Sequence, residues 1–273
     1  MNIRAAPFWV PKQGNSEEEY EDAVWPHERR EYHEEARVCL AIADGATESL
    51  YARRWAECLV GAVGEGQLSL ASLGEGIRSL QAEWQESMAG KALPWYAEEK
   101  LRQGAFAAFV VLEILEEPGS RTSSQDSSSV GHLEMSLEEP GSGTRGLWRA
   151  AALGDSCLFH IRGEEVLARF PVDHSTGFNS RPRLLGTMPA KGGPDPILHR
   201  GGRWAKGDTF YLMTDALASW FLTEIEAGCK PWIELQRFSD GDKEAVFADW
   251  IATLRERASI RNDDCTLLNI DIC

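Results

Sequence analysis

The chain has 273 residues, a formal net charge of −15 at pH 7 and a hydrophobic content of 43%. This length and apolar content are typical of a packed globular protein and argue against a disordered one. The negative charge argues against nucleic acid or an anionic membrane as the main partner, because both would repel the chain. We expect one domain over residues 1–273 that works as a monomer.

Two further features concern the cell compartment. The N-terminus lacks the apolar core of a signal peptide, and no stretch approaches the length of a membrane span. The six cysteines are scattered, with no C-x-x-C pair, which is typical of a reducing compartment and gives no support for zinc. We therefore expect a cytoplasmic protein.

The N-terminal part predicts a loop followed by a hairpin. An acidic run over 17–22 is typical of a solvated loop, and residues 23–25 then begin a short strand. The polar segment 26–37 leads to a buried apolar strand over 38–43, which Asp44-Gly45 ends. If the two strands pair antiparallel, Asp22 and Asp44 lie at the same end of the hairpin.

Helical spacing of apolar residues dominates the next hundred residues. The first helix is predicted to begin at Thr47 or Ser49 as N-cap, because both side chains can accept a backbone hydrogen bond. The predicted elements are helices over about 47–63, 69–88 and 94–102, and then a central strand over 105–115. Residues 117–144 are rich in Ser, Gly, Glu and Pro, and we interpret them as a flexible insertion within the domain.

The C-terminal half alternates short strands and helices. A meander of strands is predicted over 147–170, with turns at Gly154-Asp155 and Arg162-Gly163, and residues 171–206 are interpreted as loop. A buried strand over 209–214 ends at Asp215. The remaining predictions are helices over about 216–227, 232–238 and 241–257, and a closing strand over 265–270.

Acidic residues recur at the ends of these apolar strands. Asp44 and Asp215 each follow a strand, and Asp263 precedes one, so antiparallel pairing would bring them to one edge of a sheet. Asp22 and Asp155 can join them there. Such a cluster is tolerable only when protons or cations neutralise it, and oxygen ligands without His or Cys select Mg²⁺ or Mn²⁺. The alternative is that Asp44 and Asp215 simply cap helices.

Five short motifs resemble, in order and approximate spacing, those of the metal-dependent protein phosphatase 2C family, in particular its compact bacterial members. They are Glu21-Asp22-Ala23, Ala43-Asp44-Gly45, Leu153-Gly154-Asp155-Ser156, Met213-Thr214-Asp215 and Asp263-Asp264-Cys265-Thr266. The resemblance implies an α+β fold, a four-layer α-β-β-α sandwich in which helices flank two antiparallel β-sheets. It also implies hydrolysis of phosphoserine or phosphothreonine with two Mn²⁺ or Mg²⁺ ions that activate a bridging water.

The resemblance assigns a role to each acidic position. Asp44 would bridge the two ions and the carbonyl of Gly45 would bind one of them. Asp215 and Asp263 would hold the other ion. Glu21 and Asp22 would act through metal-bound water, and Asp155 matches the ligand of a third, weaker ion.

Several positions depart from the family pattern. Ala216 stands where Gly is usual, Ser219 where many members have a further Asp, and Ala46 where some have a His. Glu17 occupies the position of the expected phosphate-gripping Arg. The candidates to replace that Arg are Lys12, Arg53, Arg54, Arg181 and Arg183.

Two other side chains are of types that often act in catalysis, but we do not assign them a catalytic role. His174 is best explained as a loop residue with local hydrogen bonds. Ser156 lacks the strand–turn–helix context and the paired His of a nucleophile.

The sequence thus predicts a metal-dependent phosphoprotein phosphatase whose partners are a phosphoprotein substrate and a kinase-regulated partner. Asp44, Asp215 and Asp263 are its expected catalytic residues. The alternative is a catalytically weak relative that binds phosphoproteins as a regulatory module, which the missing Arg and Ser219 favour. A third reading is a small-molecule phosphomonoesterase on the same fold.

Overall fold

The fold is described from a computed structural model of the chain. It describes residues 1–47, 49, 51–89, 104–117, 145–178, 182–189, 197–239 and 243–273. The predicted helix over 94–102 lies outside these residues, as does the predicted insertion apart from Glu117. Within the described part, no helix has the length and apolar character needed to cross a membrane.

The described residues contain twelve strands and five α-helices. The strands are β1 (Ile3–Val10), β2 (Ala23–Trp25), β3 (Arg30–Tyr32), β4 (Arg37–Gly45), β5 (Phe106–Glu116), β6 (Arg145–Leu153), β7 (Cys157–Arg162), β8 (Glu165–Phe170), β9 (Leu185–Gly186), β10 (Leu198–Ala205), β11 (Asp208–Met213) and β12 (Cys265–Ile272). The helices are α1 (Ala52–Gly64), α2 (Leu73–Met88), α3 (Asp215–Glu226), α4 (Pro231–Gln236) and α5 (Glu244–Glu256).

The strands form two antiparallel sheets that pack face to face. Sheet I has the order β3-β1-β12-β11-β7-β8, and sheet II has the order β10-β6-β5-β4-β2, with β9 paired to β5. Helices α1 and α2 pack on the outer face of sheet II, and α3, α4 and α5 pack on the outer face of sheet I. This is a four-layer α-β-β-α sandwich, so the predicted fold class is confirmed.

The apolar strand runs are continuous because both faces of each sheet are buried. In β4, Leu40 and Ile42 face the opposite sheet, whereas Ala41 and Ala43 lie under α1. The side-chain period of a strand is two, so a strand with a layer on each side needs apolar residues at every position. The small alanines on the helix side leave room for Trp55 of α1, which is fully buried.

Sheet membership corrects the predicted meander over 147–170. Strands β7 and β8 do pair as a hairpin, with Leu158 opposite Phe170. However, β6 belongs to sheet II and β7 to sheet I. The turn at Gly154-Asp155 therefore carries the chain from one sheet to the other, and this places Asp155 between the sheets.

Other boundaries also differ from the predictions. Helix α1 begins at Ala52 rather than near residue 47, and its N-cap is Tyr51 in the left-handed region, with φ 65°. The prediction of Thr47 or Ser49 as N-cap was therefore wrong. Strand β10 occupies part of the predicted loop, and β1 lies in a segment for which no strand was predicted.

A buried ion network fixes the end of the sandwich where β11 begins. Asp208 accepts hydrogen bonds from His160 at 2.7 Å and from Arg162 at 2.7 and 2.8 Å. Burial opposes the charge of Asp208, but these hydrogen bonds outweigh it and lower its pKa to about 2. The His160 ring also stacks on Phe210 with centroids 4.2 Å apart.

Candidate metal centre

Asp22 and Asp44 stand opposite each other at one end of sheet II. The β2–β4 ladder pairs Ala23 with Ala43, so the residues immediately beyond that pair are Asp22 and Asp44. The predicted antiparallel pairing, with both carboxylates at the same end, is confirmed. The connection over 26–37 is not a simple turn, because it contains β3 of sheet I. Asp22 is buried, and Asp44 is partly buried.

Sheet I brings three more carboxylates to the same end of the molecule. Asp215 directly follows Thr214 at the end of β11 and is the first residue of α3. Strand β11 pairs with β7, with Met213 opposite Cys157, so Asp155 lies beside this end. Asp263 precedes β12, whose Thr266 carbonyl accepts a hydrogen bond from the Thr214 N–H at 3.2 Å.

Hydrogen bonds join the two sheets where these carboxylates meet. The Thr266 hydroxyl of β12 donates to Asp22 Oδ2 at 2.6 Å and also contacts the Tyr20 hydroxyl. Asp264 Oδ2 accepts the Glu21 N–H at 2.8 Å. The expectation that Asp44, Asp215 and Asp263 gather at one edge of a single sheet was therefore wrong. Asp22 and Asp44 belong to sheet II, and Asp155, Asp215 and Asp263 approach them from sheet I.

The carboxylates perturb one another strongly. Burial raises the pKa of Asp44 well above its ordinary value, and the negative charges of Asp22, Asp215, Asp155 and Asp263 raise it further. Burial and then the charge of Asp215 raise the pKa of Asp155 to about 7. These residues thus lie within electrostatic reach of one another, and the cluster needs protons or cations to balance its charge.

Glu21 lies at the margin of the same cluster. Burial raises its pKa, as do the charges of Asp264 and Asp263, whereas Lys12 opposes the shift. Its backbone is fixed on two sides, because its N–H donates to Asp264 and its carbonyl accepts the Gly45 N–H at 3.3 Å. The acidic N-terminal motif is therefore held against the end of β4.

The side chain of Arg261 contacts a carboxylate of the cluster. Arg261 Nη2 donates to Asp215 Oδ2 in a short ion pair, and the Asp215 and Arg261 side chains are 18% and 50% exposed. Burial raises the pKa of Asp215, and the charge of Arg261 offsets part of this shift. Within the described ranges, this is the one salt bridge to any of the carboxylates that the motifs identified.

The donor set of the cluster fits a hard divalent cation. All the converging side chains are carboxylates, the ligands that Mg²⁺ and Mn²⁺ prefer. A Cβ at Gly45 would lie 2.7 Å from the Glu21 carbonyl oxygen, so glycine is needed for this close approach. As they stand, no three His, Cys, Asp or Glu side chains of the described residues are close enough to hold an ion.

The departures from the family pattern are accommodated locally. Ala216 is buried within α3, where a helical residue has negative φ, so alanine is tolerated there. Ser219 lies one turn further along the same helix. The Ala46 N–H donates to the Phe106 carbonyl at 2.9 Å, which fixes the chain directly after Gly45.

Two of the basic candidates for gripping phosphate are engaged elsewhere. Arg53 binds the carbonyl of Glu17 at 2.8 Å and the carboxylate of Glu57 at 2.9 Å. Arg54 stacks over the Trp84 ring at 5.3 Å.

Among the other basic candidates, Arg183 has an exposed side chain. Its backbone passes beside the Gly154-Asp155 turn, because its carbonyl oxygen would lie only 3.3 Å from a Cβ added at Gly154. The charge of Lys12 acts on Glu21. Arg181 lies outside the described residues.

His174 and Ser156 take no part in the cluster as described. His174 is exposed, and its Nδ1 lies 3.5 Å from Glu226. Ser156 is fully buried beside Asp155, and its hydroxyl has no hydrogen-bond partner among the described residues.

Sequence reasoning missed three residues that organise the centre. Asp264 accepts the N–H groups of Lys12 at 2.7 Å and of Glu21 at 2.8 Å, and Thr266 binds Asp22. Arg255 donates to the Asp263 carbonyl at 2.6 Å. Asp264 and Thr266 belong to a recognised motif, so their positions were available as a signal. No pattern in the sequence marked Arg255.

The fold is shared with solved bacterial phosphatases. The chain superposes on the serine/threonine phosphatase PstP/Ppp of Mycobacterium tuberculosis with a TM-score of 0.57 at 16% identity, over 100% of this chain and 99% of that one. The protein PppA, described as a key regulatory component of T6SS in Pseudomonas aeruginosa, gives 0.56 at 16% identity, over 99% and 98%. The PstP catalytic domain in complex with two manganese ions gives 0.54 at 16% identity, over 99% of each chain.

These similarities concern the fold, because the sequences have diverged widely. No family model matches the chain, and no curated protein sequence matches it. The resemblance to metal-dependent protein phosphatases that the motifs indicated is confirmed at the level of the fold.

Proposed function

We propose that this chain is a metal-dependent phosphoprotein phosphatase that hydrolyses phosphoserine and phosphothreonine. The observation that carries the proposal is the convergence of buried carboxylates from both sheets at one end of the sandwich. The solved structures that share this fold include a phosphatase domain in complex with two manganese ions.

The proposal assigns the ligands as follows. Asp44 would serve both Mn²⁺ or Mg²⁺ ions, the Gly45 carbonyl would bind one of them, and Asp215 and Asp263 would hold the other. Glu21 and Asp22 would complete the set of carboxylates around the ions. Asp155, whose pKa of about 7 leaves it partly protonated near neutral pH, would serve a third, weaker ion.

The protein's part in the reaction is to hold these groups in position. Divalent ions held by these groups would supply an activated water and would offset the charge on the phosphoryl oxygens. Thr266 fixes the orientation of Asp22, and Asp264 fixes the backbone of Glu21. Because these contacts cross from one sheet to the other, the packing of the two sheets sets the distance between the two halves of the site.

Hydrolysis of p-nitrophenyl phosphate and of a phosphothreonine peptide tests the proposal. We expect turnover with Mn²⁺, loss of turnover with a chelator, and a loss of at least about a hundredfold in Asp44→Asn, the range for removing a group that stabilises the transition state. Asp249→Asn, at an exposed position of α5, is the matched control and should keep full activity. Turnover that survives both the chelator and Asp44→Asn would refute the proposal.

A second function, a phosphoprotein-binding regulatory module, is favoured by specific observations. Arg261 pairs with Asp215, and Glu17 stands where a phosphate-gripping Arg is expected. Tight Mn²⁺ binding without turnover on any phosphorylated substrate would support this module. Turnover on small phosphomonoesters but not on phosphopeptides would instead indicate a small-molecule phosphomonoesterase.

A further inference from the structure

Arg261 forms an ion pair with the Asp215 carboxylate of the acidic cluster. Its side chain is half exposed, and its guanidinium reaches inward to the Asp215 carboxylate. The backbone of this loop is tied down, because the Asp263 N–H donates to the Arg261 carbonyl at 3.1 Å and Arg255 holds the Asp263 carbonyl at 2.6 Å. The Arg261 side chain can therefore move while Asp263 stays in place.

The charge of Arg261 acts on the whole of this side of the cluster. Besides pairing with Asp215, it interacts electrostatically with Asp263 and Asp155. A guanidinium stays protonated at all physiological pH values, so it supplies a permanent positive charge at this position. One arginine thus balances part of the negative charge that a bound divalent cation would balance.

The structure also provides space for a displaced guanidinium. A cavity of about 390 Å³ lies beside Arg261, between the start of α3 and the loop that follows α5. Its lining includes Ser219, Thr223 and Asn262, whose side-chain oxygens can accept hydrogen bonds. An arginine that leaves Asp215 would find both room and acceptors there.

We propose that Arg261 is a built-in counter-ion of the candidate metal centre, which occupies Asp215 and is displaced when a divalent cation binds. This inference rests on the proposed function, because it takes Asp215 to be a metal ligand. It goes further in assigning to Arg261 the control of metal affinity. Mn²⁺ binding and the Arg261–Asp215 ion pair compete for the same carboxylate, so the ion pair lowers the apparent affinity for Mn²⁺ and bound Mn²⁺ disfavours the ion pair.

Calorimetric titration of Mn²⁺ into chelator-treated protein tests the inference directly. We expect Arg261→Gln to bind Mn²⁺ up to about fivefold more tightly than the wild type, as for the loss of one partly exposed opposing ion pair. Arg261→Lys keeps the charge and should bind close to the wild type. Arg257→Gln removes an exposed arginine of the same loop that lies outside the cluster, and it should leave the affinity unchanged.

A second measurement needs no variant. The Arg261 Nε–H signal in ¹⁵N NMR should lose the signature of an ion-paired guanidinium when Mg²⁺ is added, while the Arg257 signal stays unchanged. An Arg261 signal that does not respond to saturating Mg²⁺ would overturn the inference.

The outcomes separate this inference from the proposed function. If the wild type binds Mn²⁺ but Arg261→Gln binds it no more tightly, the counter-ion role is wrong and the phosphatase proposal stands. If Arg261→Gln alone binds at accessible concentrations, the counter-ion role is supported. If neither protein binds at millimolar Mn²⁺, both proposals are wrong.

Discussion

A single methyl group at Gly45 tests the packing on which the candidate centre depends. The added Cβ would lie 2.7 Å from the carbonyl oxygen of Glu21 and 2.9 Å from the carbonyl carbon of Ala52. Both neighbours are backbone atoms, so neither can rotate away. The substitution Gly45→Ala must therefore separate the Glu21 segment, the end of β4 and the start of α1.

The size of the effect follows from the close packing at this point. We expect Gly45→Ala to lower the free energy of unfolding by about 1–3 kcal/mol, the range for adding a methyl group to a filled interior. Mn²⁺ binding should weaken as well, because the clash moves Glu21 and Asp22 relative to Asp44. Urea unfolding and calorimetric titration measure the two effects separately.

Gly61→Ala is the matched control for this substitution. Gly61 lies inside α1, and no atom lies within 4 Å of the Cβ that the substitution adds. Alanine favours the helix, so we expect stability to rise by about 0.5–1 kcal/mol with Mn²⁺ affinity unchanged. If Gly45→Ala is as stable as the wild type and binds Mn²⁺ equally well, our reasoning about the close approach is refuted.

Three further predictions concern other parts of the molecule. Asp208→Asn should lower the free energy of unfolding by about 2 kcal/mol at pH 7, because it leaves Arg162 without its carboxylate partner. The folded-state pKa of Asp208 is lowered to about 2, so the difference between variant and wild type in urea unfolding should shrink as the pH falls below about 4. In a chelator the free energy of unfolding of the wild type should fall as the pH rises from about 4 to 7, because burial and Asp215 raise the pKa of Asp155 from 3.8 to about 7 on folding. Asp155→Asn should flatten this dependence, and an unchanged slope would contradict the assignment. Arg255→Met should weaken Mn²⁺ binding in calorimetry and lower the free energy of unfolding in urea by about 1–2 kcal/mol, because the Asp263 carbonyl loses its partner. Unchanged affinity would show that Arg255 does not position Asp263.

Local pattern was enough to predict the strands that carry the acidic residues. The apolar run before Asp44 and the run before Asp215 are buried on both faces, so their composition alone indicates a strand. The pairing of β2 with β4 was also predictable, because the two strands are close in sequence. Their pairing partners were not predictable in the same way, because β4 pairs with β5 and β11 pairs with β7 and β12, all far away along the chain.

The assignment of strands to sheets could not be read from the sequence. Strands β6 and β7 are joined by a short turn, which is typical of a hairpin, yet they lie in different sheets. Contacts far apart along the chain decide this, such as those from β7 to β11 and from β6 to β10. The composition of a short turn does not report them.

Strands β1 and β10 were missed because their sequences contain residues that usually interrupt strands. Pro7 lies in β1, but β3 covers only Ile3 to Ala5, so the strand is an edge at Pro7 and tolerates it. Strand β10 contains Gly201 and Gly202, and a Cβ at Gly202 would lie 2.8 Å from the Trp148 ring nitrogen. The glycines therefore reflect the approach of Trp148 rather than a loop.

The central claim is that carboxylates from both sheets form one cation site, and a calorimetric Mn²⁺ titration of four proteins tests it most directly. They are the wild type, Asp44→Asn, Asp215→Asn and the double variant. We predict that the wild type binds Mn²⁺, that each single substitution weakens binding, and that the two effects are not additive, because both residues act on the same bound ions. Additive effects, or a wild type that binds no Mn²⁺ at millimolar concentration, would contradict the claim.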